Sequence, residues 1–473
     1  MLGRARACWG VPAPAGACPR LFGPLGVLEP AGDRAGGVCE GSPVDTSEPG
    51  WVEHVIWWHV YPLGFLGADT TGVDRAAEPR LRRLVPWLDH LIELGANGLA
   101  LGPVFTSVSH GYDTTDHLEV DPRLGTSDDL THLIDEAHRR GIRVMLDGVF
   151  NHVGREFPQL LEAQTDPASD AASLFERDGA GGLATFEGHG GLVALDHSNE
   201  AVVDLVVEVM DHWLEVGADA WRLDAAYSVP STFWATVLPR VRARHPEVYV
   251  LGEVLHGDYA AMVTEGQLDS VTQYELWQAI WHSLQEVNLH ELDWALRRHN
   301  GFLDVFVPYT FVGNHDVTRL ASQIDDERHH AHALVLLFLL GGTPSVYSGD
   351  ELGYLGVKET RFGGDDAVRP AFPATPADLS SDGAAVLALH QELISLRRRH
   401  PWLHRAHSHT RVLANATTVL ELSVEGQRLL VALNLSDDSL RVDGSTEVLA
   451  GRSATTGAGA VEVGPHGWAV LRG

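Results

Sequence analysis

Three times in its first half the chain repeats one cadence: an amphipathic helical run, a glycine, then a short apolar strand with a polar tip. Residues 81–94 carry apolar side chains at helical spacing and stop at Gly95, and the strand Gly98–Leu101 follows. Thr126-Ser127-Asp128-Asp129 offers an N-cap and an acidic first turn to a helix ending at Arg139-Arg140-Gly141, ahead of a strand at 142–147. Residues 199–216 end at Gly217 and feed the strand Ala220–Leu223. Further strands are expected at 55–61, 248–251, 270–272, 307–311 and 344–347. Eight strands separated by helices specify a parallel (β/α)8 barrel. A doubly wound open sheet would normally begin with a glycine-rich phosphate loop, and none is present.

Such a barrel takes about 250 residues or more, so 473 leave room for appendages. Residues 1–50 are rich in Gly, Ala and Pro without periodicity, and are expected to be a disordered extension rather than a signal peptide. The barrel is expected over 51–400, with a long glycine-rich insertion at 153–198 placed where a lid would cover the active face. Residues 401–473 change to alternating runs such as Leu429-Leu430-Val431-Ala432-Leu433, the pattern of a small antiparallel β-domain.

Charge excludes several roles. The net charge of −30 argues against nucleic acid and anionic membranes as partners, and no apolar run approaches the ~18 residues of a membrane span. Cys8, Cys18 and Cys39 all lie in the first 50 residues, so the body has neither a disulfide framework nor a cysteine metal site. A neutral, hydroxyl-rich substrate is indifferent to this charge.

Chemistry gathers at the strand tips. Side chains two apart in a strand share a face, so Arg222 and Asp224 should project together, and the guanidinium should keep Asp224 ionised. The third strand ends in Asp147 and leads to Asn151-His152, the fifth in Glu253, and the seventh leads to Asn314-His315-Asp316. His110-Gly111-Tyr112-Asp113 follows the second. An Asp kept ionised at a strand mouth suits a carboxylate nucleophile, and Glu253, near two other carboxylates, is expected to have its pKa pushed up.

Together and in this order the tips strongly resemble the α-amylase family of glycoside hydrolases, from Trp51 to about Glu351, including Gly342-Thr343-Pro344 and Gly349-Asp350-Glu351. The resemblance implies that Asp224 is the nucleophile, Glu253 the general acid/base, and Asp316 the stabiliser of the transition state. It implies that His152 and His315 bind sugar hydroxyls, Tyr112 stacks on the sugar, Asp113 lines the subsite, Arg222 holds Asp224, and Asp147 partners Arg222. The stretch 252–256 and 267–271 is similar to the cyclomaltodextrinase and neopullulanase branch, and Asp366 … Arg369-Pro370 to oligosaccharide-acting members. Tyr227 and Ser228 stand where many relatives carry a Lys-His pair tied to calcium and downstream sugar.

The expected activity is therefore hydrolysis of α-glucosidic, mainly α-1,4, bonds in malto-oligosaccharides, in the cytoplasm, with no cofactor and no required metal. A transglycosylase or isomerase of the same family is the alternative, and a non-catalytic carbohydrate-binding member is disfavoured because all three carboxylates are present. Outside the site, His329, His330 and His332 are expected to face solvent, and Arg397-Arg398-Arg399 to complement their own helix's C-terminus. Trp57, Trp58 and Trp87 are expected in the core, while Trp221 fits either core or sugar platform.

Overall fold

The computed structural model describes residues 48–361, 363–457 and 459–473; nearly all of the N-terminal extension lies outside them. Eight strands appear where the pattern places them: Trp57–Val60, Gly98–Leu101, Arg143–Gly148, Ala220–Leu223, Tyr249–Gly252, Ser270–Val271, Tyr309–Phe311 and Thr343–Tyr347. Each is parallel to its neighbours, and the eighth pairs back to the first. A single parallel bridge, Thr272 to Tyr309, joins the sixth strand's end to the seventh and closes the barrel.

Alternation explains the placement of function. In the fourth strand Trp221 and Leu223 face outward into the main helix-covered core, whereas Ala220 faces the barrel interior with Trp57, Ala100, Met145, Tyr249 and Leu251. Arg222, two residues beyond Ala220, therefore points inward at the upper end of the barrel. Trp221 is fully buried against Phe105 and Phe150, which makes it core and not a sugar platform. Trp57, Trp58 and Trp87 are buried as well.

The helices start and stop for local reasons. Thr126 and Asp129 form a reciprocal capping box at the start of Ser127–Arg139, and Asn199 caps Glu200–Val216 through the Ala201 N–H. Gly95, at φ 98, ends the helix Trp87–Leu94 in the left-handed conformation that a side chain disfavours. No helix among the described residues is long and apolar enough to cross a membrane.

The insertion folds back on itself: Leu192–Ala194 pairs antiparallel with His152–Gly154, and its own Phe157, Leu160, Phe175 and Leu195 are buried. Beyond the helix Ala384–Arg399, six antiparallel strands between His407 and Arg472 form one sheet around Val419, Ala432, Val461 and Leu471. At the other end the side chain of Glu48, counted with the extension by composition, is buried and pairs with His404 and Arg405, each at 2.7 Å.

Two surface expectations are corrected. His329 and His332 are buried, not exposed, because His330–Leu339 is apolar on all sides, with nine of its ten residues buried. Arg397 does not serve its own helix; its Nη1 donates to the Phe338 and Leu340 carbonyls at the end of that neighbouring helix.

Buried histidines give the fold a sign of pH dependence. Burial lowers His152, His299 and His332 to about 4, and lowers His59, His117, His197 and His390 in the same direction. Burial raises Asp269 and Asp350 to about 6, against Arg242 and Arg319 respectively. Between pH 4 and 6.5 the unfolded chain protonates the histidines that the fold keeps neutral, which makes stability fall with pH. The raised carboxylates act oppositely over pH 4 to 6, but the histidines outnumber them. Each net proton is worth about 1.4 kcal/mol per pH unit. The melting temperature should therefore drop from pH 7 to pH 5; a rise measured by calorimetry would contradict this balance.

Candidate active site

One guanidinium organises the tip of the barrel. Asp147 and Arg222 are directly opposed on the third and fourth strands, and Arg222 Nη1 donates to Asp147 Oδ1 and Oδ2 at 2.6 and 2.7 Å. The same Nη1 reaches Asp224 Oδ1 at 3.3 Å, while Nη2 lies 2.7 Å from Glu253 Oε1. After Asp224 the chain turns through Ala225 in a left-handed conformation, φ 46 and ψ 36. That conformation is costly for alanine, by about 1–3 kcal/mol, and it aims the Ala225 N–H at Glu253 Oε2, 3.0 Å away.

The electrostatics differ from the sequence expectation in one respect. Arg222 does not belong to Asp224; it is shared among three carboxylates and is closest to Asp147 and Glu253. Burial, followed by the adjacent Glu253 charge, pushes the Asp224 carboxyl well above the usual range despite Arg222. Burial also raises Asp147. Carboxyls this close titrate as a unit rather than one by one.

Asp316 is the counterweight. Burial opposes its ionisation, but His315, Arg369 and Lys358 together hold it well below the usual carboxylate range. His315 Nε2 is 2.9 Å from Asp316 Oδ2, and Arg369 Nη2 donates to Asp316 Oδ1 at 2.7 Å. The His315 ring is stacked between Tyr61 and Tyr112, at 5.9 and 5.5 Å, and its Nε2 also meets the Tyr112 hydroxyl. The Tyr112 hydroxyl donates to Asp147 Oδ2 at 3.2 Å as well, which ties the two halves together. A second link runs through Tyr274, whose hydroxyl donates to Glu253 Oε1 at 3.4 Å and accepts from Asn314 at 2.9 Å.

Two expected ligands have other work. His152 Nε2–H donates to the Tyr112 carbonyl at 2.9 Å and Nδ1 accepts from Asn151 at 3.0 Å, so both nitrogens are taken and the ring positions Tyr112. Asp113 turns into its own loop, accepting from the Ser109 N–H at 3.0 Å and its hydroxyl at 2.6 Å. The remaining strand-tip residues, Tyr112, Asp147, Arg222, Asp224, Glu253, His315 and Asp316, converge. Sequence reasoning gave no role to Tyr61, Tyr274 or Asn314, although Tyr61 directly follows the first strand and Tyr274 and Asn314 lie three residues beyond the sixth and seventh. Arg369 and Lys358 lie in the long segment after the eighth strand, where no period or tip marks them.

An open cleft of about 890 Å³ adjoins Tyr112 and Arg369, lined also by Thr70, His110, His189 and Asp365. On another side the insertion presents Phe186, stacked on His152 at 4.9 Å, and Glu187, which accepts from the Tyr227 hydroxyl at 2.9 Å. Tyr227 in turn packs on His256.

The Asn151 amide N–H donates to His152, and Asp196 Oδ1 accepts from Ser198. Calcium takes six to eight oxygen ligands, and no requirement for it is expected here. Among the described residues, metal-ligating side chains cluster elsewhere, at Asp326, His329 and His466. Dialysis against a chelator should leave turnover unchanged, and a loss restored by calcium alone would overturn this.

A buried acid pair on adjacent tips of a closed barrel, with aromatic and polar walls, defines a carbohydrate-cleaving hydrolase site. The family model described as alpha amylase, catalytic domain, matches residues 59–181 and 185–385, and the chain belongs to that family of glycoside hydrolases. A cyclomaltodextrinase from Bacillus sp is 30% identical across 76% of this chain and 68% of its own length. An intracellular maltogenic amylase from Bacillus subtilis is 28% identical across 64% of this chain. The chain spans 56% of that second relative's length. Among solved structures, the cyclic alpha-maltosyl-(1→6)-maltose hydrolase from Arthrobacter globiformis shares the fold at TM-score 0.76, with 24% identity over 89% of this chain and 99% of its own.

Proposed function

We propose that the chain hydrolyses α-glucosidic bonds in short malto-oligosaccharides with retention of configuration, Asp224 acting as nucleophile and Glu253 as acid/base. The observation that supports this most directly is the sharing of Arg222 between Asp224 and Glu253, which holds the two carboxyls at one guanidinium, as neighbours on adjacent strand tips. For chemistry Glu253 must carry a proton while Asp224 is ionised. A glycosidic oxygen only accepts, so a sugar bound against Glu253 favours that microstate and leaves the electron pair on Asp224. Asp224 then attacks the anomeric carbon as the glycosidic oxygen leaves with the Glu253 proton. Water, deprotonated by Glu253, later releases the sugar from Asp224. In this reading Asp316, held by His315 and Arg369, faces the developing positive charge.

Chain length follows from the walls. The insertion's Phe186 and Glu187 meet Tyr227 on one side and its His189 lines the cleft on the other, which favours short substrates. A cytoplasmic setting, where oligosaccharides rather than granules are met, fits the same preference. The Phe186–Tyr227 wall also gives a sugar acceptor something to stack on, so transglycosylation is the second reading.

Specificity constants for maltotriose, panose and soluble starch test the proposal, with products followed by chromatography. Maltotriose should exceed starch, and the first product should be the α-anomer. A wide margin for starch would refute the preference for short chains. A product isomeric with the substrate, or a longer oligosaccharide, would favour the transferase reading.

A further inference from the structure

The barrel and the C-terminal sheet meet at a group of histidines outside the catalytic machinery. Asp326 caps the turn Glu327–His329 that leads into His330–Leu339, and His466 lies in the strand Ala460–Arg472. His329 Nε2 and His466 Nδ1 are 3.0 Å apart, and Asp326 Oδ2 lies 3.8 Å from His329 Nε2. All three atoms fall within 4.8 Å of one another. Tetrahedral zinc, with ligand bonds of about 2.0–2.2 Å, sets neighbouring donors roughly 3.3 Å apart, so a small inward shift of Asp326 completes the set.

Proton bookkeeping points the same way. Asp437 Oδ1 is 3.0 Å from His466 Nε2, and a carboxylate only accepts, so Nε2 carries the proton and Nδ1 offers a lone pair toward His329. A carboxylate behind an imidazole is the arrangement that orients a metal ligand. Without a metal, His329 must place its own proton on Nε2. Its Nδ1 is then a buried lone pair without a well-formed hydrogen bond. A cation removes the conflict. His329 Nε2 becomes a ligand, and an Nδ1–H has the Leu284 carbonyl beside the ring as acceptor. Arg328 holds that carboxylate as a fork, Nη2 donating to Asp326 Oδ2 at 2.7 Å and Nε to Oδ1 at 2.9 Å and to Oδ2 at 3.2 Å, so a cation takes over the longer Nε contact on Oδ2.

The backbone is shaped for the same contact. His466 holds φ 50, uncommon for a residue with a side chain, and its N–H is tied to the Ser436 carbonyl at 3.2 Å. Next to it, His332 Nε2–H donates to the Gly467 carbonyl at 3.0 Å. Asp326 is about a third exposed while His329 is buried, which gives an ion both an entry path and a dry floor.

We propose that Asp326, His329 and His466 bind one zinc-type divalent cation that fastens the C-terminal sheet to the barrel, with water in the fourth position. The site is structural. The test uses the full chain, stripped with chelator and titrated with zinc chloride by calorimetry and thermal melting, with cobalt as a spectroscopic probe. One ion per chain, a melting temperature raised by several degrees and the visible bands of tetrahedral cobalt are expected, with malto-oligosaccharide turnover unchanged. His466→Ala should abolish all three signals, and Asp437→Asn, which leaves every ligand in place, should weaken zinc about 10–100-fold. Absence of stoichiometric binding, or an unaltered melting temperature on binding, would overturn the proposal and leave a shared proton as the link between the histidines. Binding undiminished in both variants would overturn it too, by placing the ion elsewhere.

Discussion

Asp224→Ala should lose at least about 10⁴-fold in turnover on every α-glucoside offered, activated or not, while melting normally. The reason is positional: Asp224 follows the fourth strand at the point where Ala225 turns the chain, and Glu253 is held by the Ala225 N–H and Arg222. No other carboxylate is free to attack, since Asp147 is committed bidentately to Arg222 and Asp316 to His315 and Arg369. Glu253→Ala should behave differently. With a maltosyl leaving group it should lose about 10²–10⁴-fold, the worth of a positioned proton donor. With α-glucosyl fluoride, whose leaving group needs little protonation, glycosyl-enzyme formation should be largely retained. Equal losses for both variants on both substrates would contradict the division of roles.

Arg222→Met should be the most damaging substitution for the fold. It leaves Asp147, Asp224 and Glu253 facing one another in a dry space with no cation among them. Removing one partner from a buried ionic group costs about 3–5 kcal/mol. The sign with pH follows from the raised carboxyls. Asp147 and Asp224 already hold protons more tightly folded than unfolded, and loss of Arg222 drives them further up. A raised folded value gives stability that is present at low pH and lost as pH rises through it. The gap in melting temperature between wild type and variant should therefore narrow from pH 7.5 to pH 5. A gap that stays constant would mean that Arg222 acts by packing alone.

The barrel was legible because its two periods are local. The strands Arg143–Gly148 and Ala220–Leu223 are bounded by a glycine stop behind and a polar tip ahead, and both ends are written in the chain. Asp147, Asp224 and Glu253 were legible for the same reason, since each sits within two residues of a strand end, whereas Asp316 lies five beyond Phe311. What escaped was set by tertiary contact. His152 reads as a sugar ligand until the Tyr112 carbonyl and Asn151 occupy its nitrogens. His329 and His332 read as solvated until the C-terminal sheet covers them, and nothing near them in sequence announces a strand more than a hundred residues away. Arg222 and Asp224 were rightly paired by their two-residue spacing, but Glu253 and Asp147 compete for the same guanidinium from neighbouring strands, and that competition is invisible along one strand.

The placement of one short segment has a consequence for how this enzyme can diverge. Phe186 and Glu187 meet the residues that follow Asp224, and His189, two positions on, lines the cleft beside Tyr112 and Arg369. Glu187 takes up a left-handed conformation between them, so the segment is bent across the site rather than laid along one edge. A change in its length or bend shifts both walls at once. Preference for the sugar that is transferred and preference for the group that receives it are thus inherited as a single trait, and a descendant that retunes one retunes the other with it.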